Sequence, residues 1–316
     1  MIEEVLEVLV FPGALFIIVI SLFYEWVDRK LYARLQNRVG PHLAGPFGIL
    51  QPFADLIKLL SKENIVPAPA DRFTFTFAPI IASAATLFVC MFLPVTGLKG
   101  ILSFEGDLIV VIAILSLYSI VVYLAGEGSR SRFASIGAAR GALQLLGYEI
   151  PLTLTLLSLA VSARSLSIAG IVKAQVERGL WFIADQHIIG FIIFLIAAQA
   201  EMERIPFDIP EAETEIIAGH LTEYSGRRLA FFRFCHDVEL VVGSALIASL
   251  WLSGANSFFG VPGFVMFIIK TTLIVFVLAN LRALFARLII HQMVRFAWKY
   301  LLPLSILQIA IVLFTR

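Results

Sequence analysis

Charge is scarce in this chain. Only 15% of its 316 residues are Asp, Glu, Lys or Arg, 59% are hydrophobic and mean hydropathy is +0.93. An ordinary soluble domain carries about a quarter charged residues, so the deficit excludes intrinsic disorder and an ordinary soluble enzyme. Cysteine is scarcer still. Cys90 and Cys235, far apart in sequence, cannot build a disulfide framework or an iron–sulfur or zinc centre within one chain. The net charge of +1 indicates no polyanion-binding surface and no nucleic-acid partner. Glycine-rich phosphate loops and a G-x-S-x-G elbow are absent. The histidines His42, His187, His220, His236 and His291 show no paired metal-ligand spacing and read as structural or interfacial groups. No catalytic residue, metal site or cofactor is therefore expected on this chain, and any electron carriers belong to partners.

Long apolar runs are what the sequence does contain. A bilayer core of ~30 Å needs ~20 helical residues, and eight runs approach that length: Leu9 to Leu31, Phe73 to Leu98, Leu108 to Gly126, Leu143 to Ala163, Trp181 to Ala200, Leu240 to Gly254, Phe264 to Leu284 and Trp298 to Phe314. The expected fold is all-α, a polytopic membrane protein with about eight transmembrane helices in one domain, 1–316. Acids precede the first run and no small-residue cleavage site follows it, so it reads as a retained span and not a signal peptide. Eighteen of the 24 Lys and Arg residues fall on one side of these spans. By the positive-inside rule that side is cytoplasmic, with both termini outside and the chain in the plasma membrane.

Two polar stretches stand out on that side. Within 28–72, the segment Phe47 to Glu63 alternates Ile49, Phe53, Leu56, Ile57 and Leu60 with Gln51, Asp55, Lys58 and Lys62, which predicts an amphipathic helix lying at the interface. The second, 201–239, is read as an acidic loop. Acids also interrupt or border the spans themselves, namely Glu25, Glu149, Glu201, Glu203, Asp237 and Glu239. Ionisable groups inside a membrane are expensive and tend to be paired, hydrated or functional. Pro151, close to Glu149, frees a backbone carbonyl where water or a side chain can enter, or simply kinks the helix. Several acids at the ends of consecutive spans suggest a shared polar pathway.

Three motifs carry a family resemblance. Asp28-Arg29-Lys30 through Gln36-Asn37-Arg38-Val39-Gly40-Pro41 leads into Gly45-Pro46-Phe47-Gly48 and Gln51-Pro52-Phe53-Ala54-Asp55-Leu56-Ile57-Lys58-Leu59. Tyr148-Glu149-Ile150-Pro151 is the second. The third is Glu201-Met202-Glu203-Arg204-Ile205-Pro206-Phe207-Asp208-Ile209-Pro210-Glu211-Ala212-Glu213-Thr214-Glu215, continuing to Thr222-Glu223-Tyr224-Ser225-Gly226. Their order resembles the quinone-site membrane subunit of respiratory complex I and its hydrogenase relatives, across nearly the whole chain.

The resemblance implies a subunit that anchors a peripheral electron-transfer arm and links it to antiporter-like proton or sodium pumps. It implies a coupling pathway of Glu149, Glu201, Glu203, Asp208, Glu211, Glu213, Glu215 and Glu223. It also implies contacts with the redox cavity or the arm from Asp28, Arg29, Arg34, Arg38, Asp55, Lys58, Arg204, Tyr224, Arg227 and Arg228. Three positions depart from quinone-reducing members: His42 after Gly-Pro, Gly126-Glu127-Gly128-Ser129-Arg130 at a Trp-containing turn, and Glu203 in place of an Asn. These departures make the chain more similar to membrane-bound [NiFe] hydrogenases and sulfane reductases. The expected partners are then a [NiFe]-hydrogenase-like large subunit, iron–sulfur small subunits and antiporter-like membrane subunits, with clusters, and a [NiFe] centre, in the partners and no required quinone. Two alternatives remain: a quinone-reducing complex, and a stand-alone secondary transporter. Against the latter, no internal repeat is found and the acids cluster on one side.

Overall fold

The computed structural model describes residues 2–257 and 260–315, and its regular elements there are all helical. In chain order they are α1 (Ile2–Leu9), α2 (Ala14–Leu35), α3 (Gln51–Ser61), α4 (Arg72–Cys90), α5 (Asp107–Gly128), α6 (Arg132–Ala163), α7 (Ile168–Arg178), α8 (Ile188–Glu201), the single turn α9 (Glu213–Ile216), α10 (Gly226–Leu252), α11 (Gly263–Leu284), α12 (Ile290–Phe296) and α13 (Leu302–Phe314). A wide π turn, Ala297–Leu301, joins the last two. Pro303, lacking the N–H that would bond the carbonyl four residues back, accounts for that widening.

Among the described residues seven helical stretches are long and apolar enough to cross a membrane by length and composition. They include α2, α4, α5, α6, α10 and α11, and the run Ile290–Phe314. The expected crossing from Trp181 to Ala200 is shorter: α8 has only 14 residues, preceded by a 3-10 turn at Phe182–Ala184. Two others exceed expectation. α6 begins at Arg132 and not at Leu143, and α10 begins at Gly226 and not at Leu240. Residues 226–239 of the stretch read as an acidic loop are thus the first turns of α10. Charged side chains ended the apolar runs in the sequence, but here many of them turn inward to partners.

α10 is the hub. Every residue from Val238 to Leu252 is buried, as expected of a helix that is apolar around its whole circumference. Gly243, Ser244, Ala245, Ala248 and Ser249 keep its surface shallow, so that neighbouring helices approach closely. Its C-terminal carbonyls are met by the buried Lys270 of α11, whose Nζ donates to Leu252 O at 2.6 Å and Gly254 O at 2.8 Å. A cation at that end also complements the helix dipole. α6 continues past Pro151 as one helix, and Thr155 Oγ1 donates to the Pro151 carbonyl at 2.7 Å.

The amphipathic segment forms α3, opened by Pro52 in its first turn, where a missing N–H costs least. Leu56 packs against the bundle core while Ile57 and Leu60 point outward.

Candidate functional site

The segment between α8 and α10 folds back over the helix ends and does not extend away from them. Gln144 of α6 donates to the carbonyls of Ala200 (2.7 Å) and Phe207 (2.9 Å), Gln199 donates to Ile205 O (2.8 Å), and the Leu288 amide donates to Pro206 O (2.9 Å). Gly219 seals the return. It has φ +51°, and a Cβ there would lie 1.7 Å from the Pro210 carbonyl oxygen, so only glycine allows the two strands of the loop to cross α6 this closely.

Beneath this loop lies a cavity of about 340 Å³ walled mainly by ionisable side chains from α2, α10, α11 and the loop. One side is an ionic lattice. Arg204 reaches Asp28 at 3.1 Å and Glu25 at 3.4 Å, Arg282 pairs with Asp28, and Arg29 bridges Glu25 (2.6 Å) to Asp55 (2.7 Å). Asp28 is fully buried. Burial works against the charge on Arg204, but Asp28 and Glu25 outweigh it and hold that guanidinium above the ordinary arginine value. A second arginine, Arg287, grips Asp208 through two hydrogen bonds, at 2.8 and 2.5 Å, the bidentate fit that a planar guanidinium favours.

The other side brings Glu203, Glu211 and His236 together. His236 Nε2 stands 3.2 Å from Glu211 Oε1, and its Nδ1 stands 3.7 Å from Glu239 Oε2. Burial disfavours the Glu211 charge, yet His236 foremost, with His220 and Arg233, brings its carboxyl down to about 2. Glu203 has the opposite fate: burial, with Glu211 and Asp208 adding repulsion that His236 only partly relieves, pushes it up to about 8. The same burial holds His220 down at about 4 despite Glu211. Adjacent acids thus sit on opposite sides of neutral pH, an arrangement typical of sites that move charge. Glu203 is delivered there by a left-handed backbone, φ +49°.

From the cavity the acids continue inward. Met202 lines both the cavity and a narrow crevice containing Glu201 and Glu239; Glu201 also lines a second crevice with Tyr148, Glu149 and Ser116. Glu149 accepts a hydrogen bond from Ser116 of α5 and is half-exposed on the side of the bundle. The crevice that Glu201 and Glu239 share is otherwise lined by apolar or small residues, Leu115, Phe194, Ala198, Val242 and Leu246 among them, with Phe194 against Trp251 at 4.9 Å.

Of the residues expected from the sequence, Arg29, Glu203, Arg204, Asp208, Glu211 and Glu213 line the cavity, and Glu201 and Glu149 line the crevices beyond it. Asp28 and Asp55 support it through the ionic lattice. The rest lie apart. Glu215 pairs with Arg140 at 2.5 Å, half-buried Glu223 is not in the lining, and Arg34, Arg38 and Lys58 are exposed. Arg227 donates to Leu60 O at 3.3 Å. Tyr224 stacks on Phe75 at 4.1 Å and donates to Ala125 O at 3.2 Å, while Arg228 bonds Thr76 and covers Phe75. The site draws more than expected on α10, α11 and the segment after it: His236, Asp237, Glu239, Arg233, Arg282 and Arg287. The available signal was the i, i+3, i+4 spacing of Arg233, His236 and Asp237, with Glu239 three residues beyond His236, which a helix places on adjoining faces.

Comparison with known proteins fits this geometry. The sequence model of a family described as NADH dehydrogenase matches residues 7–313. The H subunit of the NADH-quinone oxidoreductase of Geobacillus kaustophilus is 41% identical over 306 residues, 95% of this chain and 91% of the relative. Its counterpart in Carboxydothermus hydrogenoformans is 38% identical, covering 94% and 85%. The H 2 subunit of the NADH-quinone oxidoreductase of Geobacter sulfurreducens is 40% identical, covering 94% and 92%. With a matched model spanning almost its full length and relatives aligned across nine-tenths of it, the chain belongs to the family of complex I membrane subunits of the 1/H type.

Proposed function

We propose that this chain is the membrane anchor and coupling subunit of a complex I-related respiratory complex. A peripheral arm docks over the loop 201–225, and electron transfer in that arm alters the charge balance of the cavity beneath. The change passes through Glu239 and Glu201 to Glu149, and from there to an antiporter-like neighbour that moves protons or sodium. One observation carries the reading: the row of acids leaves the cavity and ends sideways, at half-exposed Glu149 between α5 and α6, in crevices whose remaining lining is mostly apolar. A stand-alone transporter needs a polar route reaching both faces; a coupling subunit needs one that ends against a neighbour. The eighteen cations at the loop end favour a cytoplasmic placement of that end, with both termini outside.

The test is Glu149→Gln and Glu213→Gln in the assembled complex. Ion translocation is expected to drop several-fold while electron transfer from the arm to an artificial acceptor stays near parental rate. Undiminished translocation in both variants would sink the proposal.

As to the oxidant, the leading reading is an arm that reduces protons or polysulfide, of the hydrogenase or sulfane reductase type. It is supported by His42, by the carboxylate that Glu203 adds, and by a cavity lined mostly with charge. The second reading is quinone reduction, favoured by the names of the relatives and by an apolar cavity of about 370 Å³ lined by Phe207, Phe285 and Phe296. Quinone that co-purifies with the complex, or inhibition by quinone-site blockers, selects the second; a nickel-bearing large subunit selects the first.

A further inference from the structure

We infer that Glu203, Glu211 and His236 form a binding site for a divalent transition-metal cation of the zinc class. Three potential ligand atoms, one from each residue, lie within 4.8 Å of one another. Two ligands bound ~2.0–2.1 Å from a tetrahedral zinc stand about 3.3 Å apart, and Glu211 Oε1 and His236 Nε2 are already at 3.2 Å.

A second observation points to the same ligand. Glu239 is 97% buried, has no hydrogen bond within 3.5 Å to either carboxylate oxygen, with the Tyr118 hydroxyl its further polar neighbour, and faces the other imidazole nitrogen of His236 at 3.7 Å. An imidazole with one nitrogen toward ligands and the other toward a carboxylate is the usual support of a metal-bound histidine. Glu203 Oε2 is also buried without a donor. An imidazole with two carboxylates suits zinc better than magnesium or calcium, which prefer all-oxygen shells.

A cation held here would fix the charges that the coupling reading needs to shift, so its inhibitory effect rests on that reading while the site itself does not. Zinc binding is therefore measured apart from activity, by titrating the purified complex with Zn²⁺ calorimetrically and by X-ray absorption at the zinc edge. We expect one site with a mixed nitrogen and oxygen shell. Its affinity is expected to fall at least tenfold in His236→Gln and in Glu211→Gln, given that even supporting groups are worth about 10–100-fold. His236→Cys is expected to retain binding through sulfur. Glu213→Gln, which removes an acid from the same cavity outside the triad, is expected to leave affinity unchanged. If His236→Gln does not assemble, the isosteric Glu211→Gln carries the comparison. Equal zinc affinity in the parent and Glu211→Gln, or absence of a histidine-containing site, overturns the site and leaves the coupling reading standing. Zinc bound at the triad with ion translocation unimpaired overturns the coupling role of this cluster and leaves the site standing.

Discussion

The two ends of the bundle use their few charges differently. At the end away from the loop, the more buried charges close off backbone, and the ion pairs there, Arg178 with Asp185 at 3.8 Å and Lys173 with Glu177 at 3.6 Å, are exposed. Lys270 meets the last carbonyls of α10, Asp107 accepts from the Ile168 amide at 2.7 Å at the start of α7, and Arg178 donates to Ser162 O at 2.8 Å. At the loop end charge faces charge across a cavity, and buried polar atoms are left without a hydrogen bond on Asp28, Glu203 and His220. Charge that satisfies backbone fixes one structure. Charge that answers other charge, with unmet atoms between, leaves several proton arrangements of similar energy, which a coupling element requires.

The largest test of this contrast is Arg204→Met. Removing one partner of a buried ion network typically costs about 3–5 kcal/mol. We expect markedly less intact complex after mild heating in detergent, with ion coupling lost in what remains. Lys270→Met strikes the other end. It removes two charge-assisted bonds, each worth about 1.5–3 kcal/mol at most, and should lower thermal stability while leaving the ratio of ions moved to electrons transferred as in the parent. A changed ratio would merge the two ends into one system.

Titration separates neighbouring acids within the loop end itself. Glu203 has its folded value raised from 4.5 to about 8, so the folded state binds the extra proton and stability falls as pH rises between those values. Glu203→Gln should therefore flatten the pH dependence of stability over that window, and should exceed the parent in stability above about pH 8. An infrared carbonyl band of a protonated carboxyl should disappear with it at neutral pH. Glu211 runs the other way. Its value is lowered from 4.5 to about 2, so its contribution is present above 4.5 and is lost as pH falls toward 2; Glu211→Gln should forfeit it at neutral pH. The smallest effect is expected for Glu215→Gln, whose 41%-exposed carboxylate pairs with Arg140. Such surface pairs contribute about 0–1 kcal/mol, and neither stability nor coupling should move detectably.

Apolar runs made the helical membrane fold legible, because their length alone matches a bilayer. What they hid was the start of α10. Arg233, His236, Asp237 and Glu239 look like loop in a hydropathy count, since that count cannot know that Glu211 and Glu203 wait across a cavity. The motifs made the acids of the loop legible but not their counter-charges, because Arg282 and Arg287 are brought to Asp28 and Asp208 only by the packing of α11 beside α2 and the loop. Tyr224 and Arg228 show the converse. They sit within or next to a motif that carries the family resemblance, and they spend their contacts on Phe75, Thr76 and Ala125, holding α4, α5 and α10 together.

The brevity of α8 has an electrical consequence. At 14 residues it rises ~21 Å, well under the ~30 Å hydrocarbon layer. With Glu201 as its last residue and the charge-lined cavity just beyond, a membrane around the bundle would meet less insulation along this helix than along a full-length span. A membrane potential would then drop over a shorter distance here than through the surrounding lipid. A proton reaching Glu201 from the cavity would cross part of that field, at up to ~2.3 kcal/mol per 100 mV for a full crossing. The same short helix that lets the cavity reach Glu201 would make occupancy of that carboxyl sensitive to voltage.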